Sequence, residues 1–144
     1  MPPKSSGPKA SWNDQEVHAL IHYLHEHRAE AGDNGNFKNS TYHSASQYIA
    51  QYHTSGPAKS AAMVKNKWVS HIRRIYQDVE GFRAKSGCHW DNAQGAGISG
   101  KLDEEVFENY AKIHPLICPF RNRGWEYYDL LLDIIPNGAA RGTN

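Results

Sequence analysis

Cysteine is nearly absent: Cys88 and Cys118 are the two in 144 residues, too few for a disulfide framework or a four-thiolate zinc site. That usage fits a reducing compartment. Long apolar runs are missing as well, so nothing approaches the roughly 18 residues of a membrane span, and the opening MPPKSSGPKA lacks the apolar stretch of a signal peptide. The chain is expected to be soluble, not secreted, and without a membrane partner. No segment alternates apolar and polar residues for the length of a strand, and there is no internal repeat. Net charge is only +1, which as a total argues against a polyanionic ligand. Aromatics are what the chain has in quantity. Its 4 Trp, 8 Tyr and 4 Phe supply the area to close a small core in a chain of about one domain's length.

The charge is unevenly placed. Between positions 59 and 85, Lys59, Lys65, Lys67, Arg73, Arg74, Arg83 and Lys85 face only Asp78 and Glu80, leaving +5. From 101 to 133, Lys101, Lys112, Arg121 and Arg123 stand against seven acidic side chains, leaving −3. A near-neutral total thus conceals a basic segment followed by an acidic one.

Helical signals follow one another along the chain. Residues 1–10, rich in Pro, Gly, Ser and Lys, read as a disordered tail. Asn13 with Glu16 is close to a capping box, and Trp12 with Val17 to a hydrophobic staple. A first helix is expected over 14–31, with Val17, Leu20, Ile21 and Leu24 inward. Tyr42, Ala45, Ile49 and Tyr52 mark a short second helix. A long third, to about Lys85, places Ala61, Val64, Trp68, Ile72, Ile75, Tyr76, Val79 and Phe82 on one face. The Gly-rich stretch after it is an excursion that Trp90 is expected to pin to the core. Asp103 is expected to cap a fourth helix carrying Val106, Phe107, Tyr110 and Ile113. A fifth is expected over 122–135, ended by Pro136 and Gly138. The fold class is all-α.

This order of features resembles a known family. Trp12, Glu16, a Leu/Ile-rich helix, a Tyr-rich helix, Lys65-Asn66-Lys67-Trp68, Tyr76, then Ser86-Gly87, Trp90-Asp91 and an acidic helix resemble the Myb/SANT-like DNA-binding domains of plants and fungi. The resemblance covers 11–136. It implies a three-helix helix-turn-helix bundle over 11–85 with a long third helix, a two-helix extension over 86–136, and a linker over 137–144. PFRNRGWEYYDLLLDIIP is similar to the ending of fungal members, which often accompany a transposase. The implied function is sequence-specific binding of double-stranded DNA in the nucleus, in transcription or beside a transposable element.

The third helix also resembles the V-D-L-K-D-K-W segment of telomere-repeat-binding Myb domains, with Ala62-Met63-Val64-Lys65-Asn66-Lys67-Trp68 in register. The base-facing roles then fall on Ala62, Lys65, Asn66 and Val69, three of which differ from that family's residues. Spacing supports the same face independently, since 62, 65, 66, 69 and 73 form a helical stripe away from Val64, Trp68 and Ile72. Lysine can donate to guanine, asparagine can pair bidentately with adenine, and alanine can meet a thymine methyl. Lys59, Lys67, Arg73 and Arg74 suit phosphates. A charged helix face is more often merely solvated, but such a face mixes signs, and nothing acidic lies between Lys59 and Gln77.

Other chemistries are weaker. His18, His22 and His25 have the spacing of a helical metal site but no fixed carboxylate behind them, and Cys88-His89 with His114 and Cys118 match no familiar zinc spacing. No cofactor is expected. With no Ser/His/Asp order, phosphate loop or paired carboxylates, neither is enzymatic activity. The competing function is a SANT-type protein-interaction module. The fifth helix, apolar over roughly 220° of its wheel where about 100° suffices, is expected to leave Tyr127, Leu130 and Ile134 as a patch for a protein partner, a transposase or a second copy of the chain.

Overall fold

The computed structural model describes residues 11–85 and 90–135. Helices α1 (Asp14–Glu26), α2 (Asn39–Ile49), α3 (Ala61–Lys67), α4 (Arg73–Ala84), α5 (Gly100–Ile113) and α6 (Tyr128–Ile134) are joined by 3-10 turns, and a π turn over Trp68–Ile72 separates α3 from α4. Among the described residues there is no strand, only an isolated bridge between Asp91 and Gly95. The all-α expectation holds. The expectations for the tail, Ser86-Gly87 and Pro136 onward lie outside the described residues.

The chain divides into two compact units, 1–67 with 132–144 and 68–131. The division falls at Lys67, inside the 11–85 segment that the resemblance reads as a three-helix core. In the first unit α2 packs on both α1 and α3. The start of α1 is the capping box that its sequence announces: Asn13 Oδ1 accepts from the Glu16 backbone N–H at 2.7 Å, and Glu16 Oε1 accepts from the Asn13 N–H at 3.0 Å. Leu20, Ile21, Leu24, Tyr42, Ala45, Ile49 and Val64 are buried as their periodicity requires. Helix α1 stops five residues earlier than expected, because His27 leaves helical geometry (φ −105°, ψ 22°) with its N–H shared between the Tyr23 and Leu24 carbonyls, and two 3-10 turns follow. Asn34 (φ 61°) and Gly35 (φ 75°) in the second of these take left-handed conformations that a continuing helix cannot contain.

In the second unit Trp68, Ile72, Tyr76, Val79 and Phe82 are buried along the π turn and α4. Phe82 meets Phe107 and Tyr110 of α5 edge to face, at centroid distances of 5.8 and 5.4 Å. Trp90 is held between Phe120 (6.1 Å) and Tyr128 (5.9 Å), the pinning role expected of it. Helix α5 begins at Gly100 behind Ser99, not at Asp103, whose carboxylate instead accepts from the Ser99 N–H within the first turn.

The expected fifth helix is the main departure, since only Tyr128–Ile134 is helical. Residues 120–124 spend their backbone groups elsewhere: the Ala96 and Ile98 N–H groups donate to the Phe120 and Arg121 carbonyls, and the Gly124 N–H donates to Ala93. A Cβ on Gly124 would collide with the Asn92 backbone, and one on Gly95 (φ +61°) with the carbonyls of Phe120 and Arg123. Gly95→Ala therefore combines a left-handed φ with a clash against unyielding backbone, and a loss of at least about 2 kcal/mol is expected in urea unfolding. A cost under about 0.5 kcal/mol would mean that this junction is loose.

Candidate nucleic-acid interface

Helix α3 opens on Ser60, whose hydroxyl accepts from the Met63 N–H at 3.2 Å while its carbonyl accepts from the Val64 N–H at 2.9 Å. Helical geometry then separates two faces. Val64 is fully buried, whereas Ala62, Lys65 and Asn66 are exposed, at i, i+3 and i+4. Among the described residues nothing pairs with the Lys65 ammonium.

Lys59 departs from the phosphate role expected of it. Its side chain is 1% exposed and its ammonium bridges both Glu16 oxygens, at 3.0 and 2.9 Å, while also donating to the Ser11 carbonyl. A cation so enclosed presents no charge to a ligand, so Lys59 is part of the scaffold. Burial alone would raise the Glu16 carboxyl. The Asn13 backbone N–H and the Lys59 ammonium outweigh it and hold the group below its ordinary value. Asn13 also ties this corner to the chain after α2, donating to the Tyr52 carbonyl (2.9 Å) and to Thr54 Oγ1 (3.0 Å).

Lys67 is withdrawn in part. It is half-buried, with its ammonium 5.7 Å from the centroid of Trp12, over which Lys59 also lies at 5.4 Å. Burial lowers the Lys67 pKa. Trp12 is a half-buried ring whose π face meets these two cations.

The remaining expected contacts belong to the second unit. Val69 and Arg73 are half-buried and Arg74 is exposed. The stripe that joined them to Lys65 assumed 3.6 residues per turn, and the π turn over Trp68–Ile72 does not keep that period. Arg74 lines a cleft between α4 and α5 together with Lys85, Asn109 and His114. Sequence reasoning did not bring these residues together, because Arg74 and Lys85 belong to α4 and its end, and Asn109 and His114 to α5 and its end, far along the chain.

The expected partner patch does not form as a set. Ile134 is only 3% exposed, and Tyr127 and Leu130 are half-buried. The apolar arc assumed one continuous helix, but Trp125 and Tyr127 precede α6. His25 likewise corrects an expectation: its Nε2 stands 2.9 Å from Asp133 Oδ2, a carboxylate the sequence did not reveal. The His18 and His22 rings lie 4.1 Å apart, tilted at 36°. Of the other metal candidates, Cys88 and His89 lie outside the described residues, Cys118 is an exposed free thiol, and His114 Nδ1 faces Asp78 at 3.2 Å. Among the described residues no group of three or more potential ligands converges.

A family model described as a Myb/SANT-like DNA-binding domain matches residues 11–110. The chain belongs to this family. The match takes in α1 to α4 and α5 as far as Tyr110, so the exposed face of α3 is inside it. No curated protein and no solved structure matches the chain.

Proposed function

We propose that this Myb/SANT-like domain binds double-stranded DNA with sequence preference, laying α3 in the major groove. The observation that carries the reading is the exposure of Ala62, Lys65 and Asn66 on one face of α3, opposite the buried Val64 and inside the matched segment. Lys65 donates to guanine O6 and N7, Asn66 pairs with an adenine edge, and Ala62 meets a thymine methyl, with Val69 as a further apolar contact. Lys67 and Arg73 supply phosphate-directed charge without sequence preference. Such a reader works in the nucleus, as a transcription regulator or as the DNA-binding companion of a transposase.

Binding selection from a randomised duplex pool, repeated at two salt concentrations, tests this. A preferred site should emerge, with log K falling by about 0.9 per log unit of salt for each phosphate neutralised. Lys65→Ala and Asn66→Ala should each cost about 1–3 kcal/mol at that site and relax its specificity, while Arg73→Ala weakens all sequences alike. Equal binding to every duplex, or none, would sink the sequence-reading role and favour the protein-interaction module.

A further inference from the structure

Within the second unit, α4 and α5 enclose a cleft of about 690 Å³ that DNA reading by α3 does not use. Its floor is locked. Gly81 has no Cβ, so the Tyr110 hydroxyl passes beneath it and donates to the Asp78 carbonyl. The Asp78 carboxylate, 13% exposed, is turned to His114 Nδ1. His114 in turn stacks on Tyr110 at 4.3 Å. The one acidic side chain lining the cleft is therefore engaged.

What is left open is cationic and apolar. Arg74 and Lys85 line the same wall and are exposed, eleven residues apart, about 16 Å along a helix. Among the described residues neither has an ion-pair partner, and the Lys85 ammonium lies over the Tyr110 ring at 6.0 Å. On the opposite wall Ile113 is 76% exposed, although its place in the sequence periodicity is a core position. Gly81 faces Tyr110 and Asp78 faces His114, so Ile113 comes at a level between the two cations. Gln77 and Asn109 add side-chain amides that can pair with a backbone.

We infer that this cleft binds an extended acidic peptide segment of a protein partner, with carboxylates toward Arg74 and Lys85 and an apolar side chain between them on Ile113. An extended chain rises about 3.3 Å per residue and shows alternate side chains on one face. Five residues of the pattern acidic, any, apolar, any, acidic bring their first and fifth carboxylates within reach of the two cations. A DNA strand fits less well. A phosphodiester gains nothing from the apolar Ile113 side chain.

The test is an amide-resolved NMR titration of the whole chain with a glycine-flanked, end-blocked peptide Glu-Ser-Leu-Ser-Glu. The comparison ligands are its Lys-for-Glu counterpart, its Ala-for-Leu counterpart and a short duplex. The acidic peptide should shift the Gln77 and Asn109 side-chain amides, and both counterparts should do so more weakly. Lys85→Glu should weaken the peptide about tenfold and Ile113→Ser should weaken it severalfold, both leaving DNA affinity unchanged, whereas Lys65→Ala should reduce DNA affinity alone. No shift at about 1 mM peptide, equal shifts with the charge-reversed peptide, or displacement of the peptide by the duplex would overturn the assignment. Because Lys65 reports on DNA and Lys85 on peptide, either reading can fail without the other.

Discussion

Lys59→Met is expected to cost about 3–5 kcal/mol, because it strands the Glu16 carboxylate at 1% exposure without the ammonium that compensates it. The pH dependence should weaken as well. In the native chain Glu16 is held below its ordinary value, so its stabilising contribution is fully present above the unfolded pKa and is lost as pH falls through the folded one. In the variant only the Asn13 N–H and His53 still oppose burial, so the Glu16 carboxyl is lowered less and less stability is lost on acidification. Urea midpoints near about pH 3 and about pH 6 should therefore differ less in the variant than in the native chain. The double change Glu16→Met with Lys59→Met should recover most of the loss, short of the capping bond to Asn13, worth about 1 kcal/mol. A cost for Lys59→Met below about 1 kcal/mol would show that water reaches the pair and that it is worth no more than a surface bridge.

Trp68→Ala should be comparably damaging. The side chain is fully buried at the first position of the π turn, and truncating a core tryptophan costs about 3–5 kcal/mol out of a total that for a small domain is only about 5–15. Loss of the cooperative urea transition, or a midpoint moved far down at unchanged slope, is the expected readout. Trp68→Phe, which keeps an aromatic ring in place, should cost less than half as much. An unchanged transition in the alanine variant would contradict the burial of Trp68. Because Lys65 and Asn66 are exposed beside it, their alanine variants should keep the native midpoint while losing DNA preference. That contrast separates a folding defect from a recognition defect.

How much of this could be read in the sequence depended on distance along the chain. Local signals were legible. The Asn13/Glu16 box, the 3.6-residue periods of α1, α2 and α4, and the exposure of Ala62, Lys65 and Asn66 all follow from interactions within a few residues. The end of α1 was less so, because His27 leaves helical geometry (φ −105°, ψ 22°), a change of backbone conformation that periodicity does not report. The fifth helix was misread for a related reason. Its apolar residues have helical spacing, but the backbone of 120–124 is claimed by hydrogen bonds with Ala93, Ala96 and Ile98, 23–31 positions away. No window over the local sequence contains both partners.

The amino-acid sequence by itself determined the all-α class, the capping box of α1, the basic segment and the family, since composition and short-range pattern are properties of the chain alone. Only the tertiary structure decided which charges remain available. Lys59 and Lys65 are equivalent in a charge count, yet one is enclosed with Glu16 and the other stands in solvent. Ile113 shares its period with Phe107 and Tyr110 but ends α5 in the open, beside Arg74 and Lys85 from another helix. Desolvation and pairing depend on neighbours brought close by folding, and those neighbours are far apart in sequence.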